Sequence, residues 1–134
     1  MKTATLLLSI LLCSLLSFSC TTSSIQHVST DDMQNIVEKP QGTAIIDARL
    51  GSKWDNKQRI HGAKALSLKS SDSDIQRLYP DKEAKIITYC GSMKCPMSAT
   101  LAKRFKDLGY KNISEYSGGL AAWKEAGGAI DQVK

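Results

Sequence analysis

TAIIDAR (43–49), AKALSL (63–68), AKIITYC (84–90) and KNISEYS (111–117) are short apolar or β-branched runs, spaced along the chain by loops and segments of helical period. Strands that recur in this way need crossovers to run in the same direction. The pattern therefore predicts an α/β domain with a mainly parallel central sheet and helices on both faces. In such sheets the site lies beyond the carboxyl ends of the strands. AKIITYC is the strongest strand signal, and it delivers Cys90 to that end.

Helix signals fill the intervals. STDDMQNIVEK (29–39) offers Ser29 or Thr30 as N-cap, Asp31 and Asp32 in the positive first turn, and Met33, Ile36 and Val37 at helical spacing; Pro40 and Gly42 stop it. DIQRLYP (74–80) reads as a short helix ended by proline. Met97, Leu101, Phe105 and Leu108 share one helix face that Gly109 terminates, with Lys103, Arg104 and Lys106 outside. GGLAAWKEAG (118–127) opens on two glycines into a helix carrying Leu120 and Trp123.

The N-terminus has another chemistry. Lys2 followed by the uncharged ATLLLSILLCSLL (4–16) has signal-peptide form, and the run is shorter than the roughly 20 residues of a membrane span. Residues 1–19 are thus expected to be a signal peptide, 20–26 a Ser/Thr-rich tether and 27–134 the folded domain. SFSC (17–20) before TTSS leaves two main endings: lipidation at Cys20, as in a bacterial lipobox although Ser17 stands where Leu is usual, or ordinary signal cleavage; an uncleaved anchor is a third. The expected location is the bacterial cell envelope or periplasm, with membrane contact only through a lipid on Cys20. The formal charge of +5 includes no basic run, so no nucleic-acid partner is expected. Cys13 leaves with the signal and Cys20 is a lipidation candidate, so any disulfide within the mature domain falls to Cys90 and Cys95.

IIDAR (45–49), RIHGAKALSL (59–68), IITYCGS (86–92) and LGYKNISEYSGGLAAWKEAG (108–127) come in the order and spacing of a single-domain rhodanese. This is a resemblance over nearly all of the mature chain. It implies the rhodanese α/β fold and a loop cysteine, Cys90, that carries sulfane sulfur as a persulfide, passed from thiosulfate or a polysulfide to a thiol or cyanide. No cofactor is implied. It also gives Asp47 and Arg49 the family's Asp-x-Arg role, an ion pair bracing loops near the site. Two departures stand out. The family's usual His position holds Arg59, and His61 stands where Pro is expected; the active loop reads Cys-x-x-x-x-Cys rather than Cys-x-x-x-x-Arg, with Ser98-Ala99 two residues late.

The substrate-binding loop is expected to comprise Gly91, Ser92, Met93, Lys94 and Cys95. A thiol reacts as thiolate, and a loop between strand end and helix start directs amide N–H groups and the helix dipole at the sulfur. Gly91 permits a tight exit from the strand, and Ser92 either donates to a bound anion or closes the turn. Lys94 either holds a thiosulfate oxyanion, without the fork of an arginine, or is simply solvated. For Cys95 three readings stay open: a resolving cysteine forming a reversible disulfide with Cys90, a packing residue, or a metal ligand. Further ligands are lacking in sequence near the two thiols, which disfavours a metal. Arg59 and His61 either line the mouth of the site or serve the surface, while Trp54 and Trp123 read as core or lid packing. Gly118 and Gly119 are expected to let the backbone pass close to the cysteine loop. Besides a sulfurtransferase, the chain reads as a thiol-disulfide redox protein using Cys90 and Cys95, or as a non-catalytic binding module. Phosphatase-type chemistry is disfavoured because its arginine position, six after the cysteine, holds Pro96.

Overall fold

Each helix begins and ends where the local chemistry directs. The computed structural model describes residues 24–49 and 57–133. Helix α1 (Thr30–Glu38) is capped by the Ser29 side chain, which accepts from the Asp32 amide at 3.1 Å. Helix α2 (Asp72–Leu78) starts two residues earlier than its apolar pattern suggests, because Ser71 caps it in the same way through the Asp74 amide. Helix α3 spans Met97–Asp107, with Pro96 as its cap residue, and α4 spans Gly119–Glu125.

The strands β1 (Gln26–His27), β2 (Ala44–Asp47), β4 (Lys64–Ala65), β5 (Lys85–Tyr89) and β6 (Asn112–Tyr116) form one parallel sheet in the order β1-β6-β5-β2-β4. The expected α/β class with a parallel sheet is what the chain adopts. Period-two alternation divides the core. Ile46, Ile86 and Ile113 face Ile75 of α2 and Leu101 and Phe105 of α3, whereas Ile45, Ile87, Tyr89 and Tyr116 face Met33 of α1 and Leu120 and Trp123 of α4. Helices therefore cover both faces.

Three differences from the sequence reading concern elements too short to leave a periodic signal. Gln26, placed at the end of the tether, belongs to β1, where Gln26 and His27 pair with Ser114 and Glu115. The AKALSL run contracts to two exposed strand residues at the sheet edge. A second sheet joins β3 (Gln58–Ile60) antiparallel to β7 (Ile130–Gln132), far apart in sequence, and buries Ile60 under the α4 side of the core. The expected signal peptide, Cys13, Cys20 and Trp54 lie outside the described residues.

The tightest aromatic packing is at Phe105, fully buried, with Tyr79 and Tyr110 edge-on at 5.6 and 5.0 Å. Removing the ring takes away both the transfer free energy and the contacts of a cavity that the sheet and α2 cannot both collapse into. Phe105→Ala is expected to cost about 3–5 kcal/mol, measured as a lower midpoint in urea unfolding with little change in slope.

Candidate functional site

β5 has a parallel neighbour on either side, and Ile86 through Cys90 are all buried. The chain turns at Cys90, whose side chain is only 1% exposed, into a loop that ends where α3 begins. Along it, exposure rises and falls: Gly91 and Ser92 are half-buried, Met93 and Lys94 are exposed, and Cys95 is half-buried again. The Cys95 amide donates to the Ser92 carbonyl at 3.0 Å, folding the loop back on itself. That fold brings the two cysteine Cα atoms to 6.2 Å, and the two sulfurs are joined in a disulfide. That geometry is the one the first reading of Cys95 needs. Among the described residues the amides of Gly91, Ser92, Met93 and Lys94 meet no protein acceptor.

Helix α4 clamps the loop from behind. Leu120 and Ala121 donate their amides to the Cys90 and Gly91 carbonyls, both at 2.9 Å. The approach requires Gly119, at φ +63°: a Cβ there would lie 2.6 Å from the Cys90 oxygen and 2.8 Å from the Ser92 nitrogen. Gly118, expected to do the same, does something else. A Cβ on it would meet Ala122 and the Tyr116 ring, so its space is needed inside the helix cover rather than at the loop.

On one side of the loop sits a buried charge cluster. Asp47 accepts from Arg49 Nη2 at 2.6 Å and from its Nε at 2.9 Å, and the Arg49 stem runs beside Gly91. Charge at the end of β2 is buried and paired, with Asp47 1% and Arg49 7% exposed. Arg49 also donates to the Gln58 carbonyl, which ties β2 to β3. Arg59, in the family's His position, brings its Nε to 3.5 Å from Asp47. Among the described residues, two guanidiniums thus meet the Asp47 carboxylate beside the cysteine loop. Tyr89 completes the cluster by accepting from the Ile60 amide at 3.1 Å. Burial pushes its phenol well above the usual tyrosine range, and the Asp47 carboxylate adds to the shift, so Tyr89 stays neutral.

On the opposite face lies a network that the sequence reading missed. Buried Ser98, in the first turn of α3, donates to Glu115 Oε1 at 2.6 Å, and Thr88 donates to the Ser98 carbonyl at 3.0 Å. A signal for it existed: Glu115 is in phase with Ile113 on β6, at an inward position where an apolar residue is expected. His61 is not at the mouth. It pairs with Asp131 at 2.7 Å and lines a cavity of about 370 Å³ with Gly42, Thr43 and Ala44, at the end of β2 remote from Cys90. Trp123 is core, as expected, donating to the Ala129 carbonyl at 2.9 Å.

Residues 29–126 match the model of the rhodanese-like domain. The chain belongs to that family. A likeness of fold extends to solved structures. The thiosulfate sulfurtransferase of Pseudomonas aeruginosa is 23% identical at a TM-score of 0.69, covering 81% of this chain. This chain spans only 20% of that protein's length. The BH2092 protein of Bacillus halodurans is 23% identical (TM-score 0.71; 80% of this chain, 77% of that one), and the rhodanese-like domain of Alr3790 from Anabaena sp. is 24% identical (TM-score 0.67; 83% and 81%). No curated protein matches significantly. Within this rhodanese-like domain, Asp47 carries the charge balance beside the loop. Asp47→Asn leaves two guanidiniums facing a neutral amide, and is expected to destabilise the fold by about 3 kcal/mol, measured by denaturant unfolding at constant pH.

Proposed function

We propose that the domain is a sulfurtransferase that carries sulfane sulfur as a persulfide on Cys90. One observation supports this above the rest: Cys90 heads a loop at the carboxyl end of the central strand, clamped through its carbonyl by α4, with the following four amides meeting no acceptor among the described residues. Such amides, the start of α3 and the nearby Arg49 and Arg59 guanidiniums all favour a thiolate over a thiol. The active form is the dithiol, since a disulfide sulfur is no nucleophile.

In the first step the Cys90 thiolate attacks the outer sulfur of thiosulfate. The sulfur–sulfur bond of the donor breaks, sulfite leaves with its electron pair, and Cys90 holds the outer sulfur as a persulfide. A thiolate or cyanide then attacks that terminal sulfur and returns Cys90 to its starting state. The substrates are a small sulfane-sulfur compound and a thiol acceptor, and the cycle calls on no cofactor. Exposed Lys94 gives the donor's oxyanion a point charge, and Ser92 a hydroxyl, at the position where an arginine fork is missing. Gly91 and Met93 shape the floor and rim. The Cys90–Cys95 disulfide favours a second reading, thiol-disulfide exchange at the same loop.

The place of this chemistry is, in our reading, the bacterial cell envelope, with residues 1–19 removed as a signal and Cys20 lipidated before a short tether. Cys20→Ala should then release the protein from the membrane fraction and abolish the diacylglyceryl mass increment, since lipidation needs the thiol; a wild-type protein that is already soluble and unmodified would point to ordinary cleavage. For the chemistry itself, Cys90→Ser is expected to abolish persulfide formation from thiosulfate, because a serine alkoxide is out of reach near neutral pH. Intact-mass measurement checks it: reduced wild type gains about one sulfur atom, the variant none. Sulfur uptake by Cys90→Ser would move the nucleophile elsewhere.

A further inference from the structure

The disulfide says more than that two thiols are near one another. It shows that the Cys95 sulfur reaches the Cys90 sulfur itself, the inner atom of a persulfide, rather than only the terminal sulfur that an outside acceptor would attack. The two cysteines also differ in access. Cys90 is 1% exposed and Cys95 is half-buried, beside exposed Met93, Lys94 and Pro96.

We propose that Cys95 resolves the Cys90 persulfide, so that the domain reduces sulfane sulfur to hydrosulfide, and that a dithiol reductant reopens the resulting disulfide at Cys95. The inference rests on persulfide formation at Cys90. In the resolving step the Cys95 thiolate attacks Cys90 Sγ, the bond between that atom and the sulfane sulfur breaks, and the electron pair leaves on hydrosulfide. Two thiols are oxidised to a disulfide while one sulfur atom is reduced. In the resetting step a thiolate of the dithiol attacks Sγ of Cys95, the less buried residue of the pair, and Cys90 departs as thiolate into the loop where its charge is favoured. The second thiol of the reductant then frees Cys95. Summed, thiosulfate and a dithiol give sulfite, hydrosulfide and a disulfide. The cysteine at the position of the usual arginine thus exchanges grip on the donor for a built-in route that releases the sulfur.

The test is a single turnover of pre-reduced, desalted protein with thiosulfate under anaerobic conditions, without added thiol, comparing wild type with Cys95→Ser. Wild type should give one sulfite and one hydrosulfide per chain and end with the Cys90–Cys95 disulfide. The variant should give sulfite alone and retain the persulfide mass. A persulfide that persists equally in both, or hydrosulfide released equally by both, overturns the resolving role while leaving sulfur transfer at Cys90 intact. Failure of either protein to release sulfite sinks the sulfurtransferase reading and this step with it. The resetting half is read by exposing the oxidised wild type to glutathione, quenching in acid and mapping the adduct: glutathione on Cys95 is the expected result, and glutathione on Cys90 overturns it.

Discussion

The central strand β5 is held on four sides, and the site follows from that confinement. Parallel partners take its backbone groups on both edges, and apolar covers take its side chains on both faces. Sliding it by one residue would send Ile86 and Ile87 to the wrong sheets of side chains, so its register is fixed. The residue after Tyr89 is consequently delivered to one place. Cys90 sits there because the strand ends there, and everything built around the loop refers to that position.

Two polar networks then hold the loop from its two sides, and the carboxylates at their centres, Asp47 and Glu115, are buried. Asp47, Arg49, Arg59 and Tyr89 join β2, β3 and β5 on one; Ser98, Thr88 and Glu115 join α3, β5 and β6 on the other. Buried charge of this kind adds little net stability over an apolar replacement, but losing a single partner is expensive, so the networks serve position more than stability. The Arg49 side chain beside Gly91 has an electrostatic effect too, since it sits close to where a sulfur anion would form.

The longer loop gives this rhodanese-like domain its individual character. A cysteine five positions after Cys90 fits back onto it because the turn from Ser92 to Cys95 reverses the chain and Gly119 lets α4 pack against the loop's base. The cover behind the loop is hydrogen-bonded to it, while its rim, Met93 and Lys94, projects into solvent. That combination suits a site where one sulfur is sheltered and the other is approachable.

By itself, the sequence determined what periodicity and local chemistry can encode. The apolar runs ending in Asp47 and Cys90, the Ser29 cap, the α3 face of Leu101 and Phe105, and the class of sheet they imply are all set by neighbours within a few residues. The Asp-Arg pair and the cysteine loop were legible through their motif order. Tertiary structure decided what depends on partners distant in the chain. Only the fold pairs β3 with β7, draws His61 away to Asp131, makes Arg59 a second cation on Asp47, and turns Glu115 inward to Ser98. It also divided the two glycines, giving Gly119 to the loop and Gly118 to Tyr116. The physical reason is the same in each case: these contacts are specified by the space that other segments leave, and no local pattern records that space.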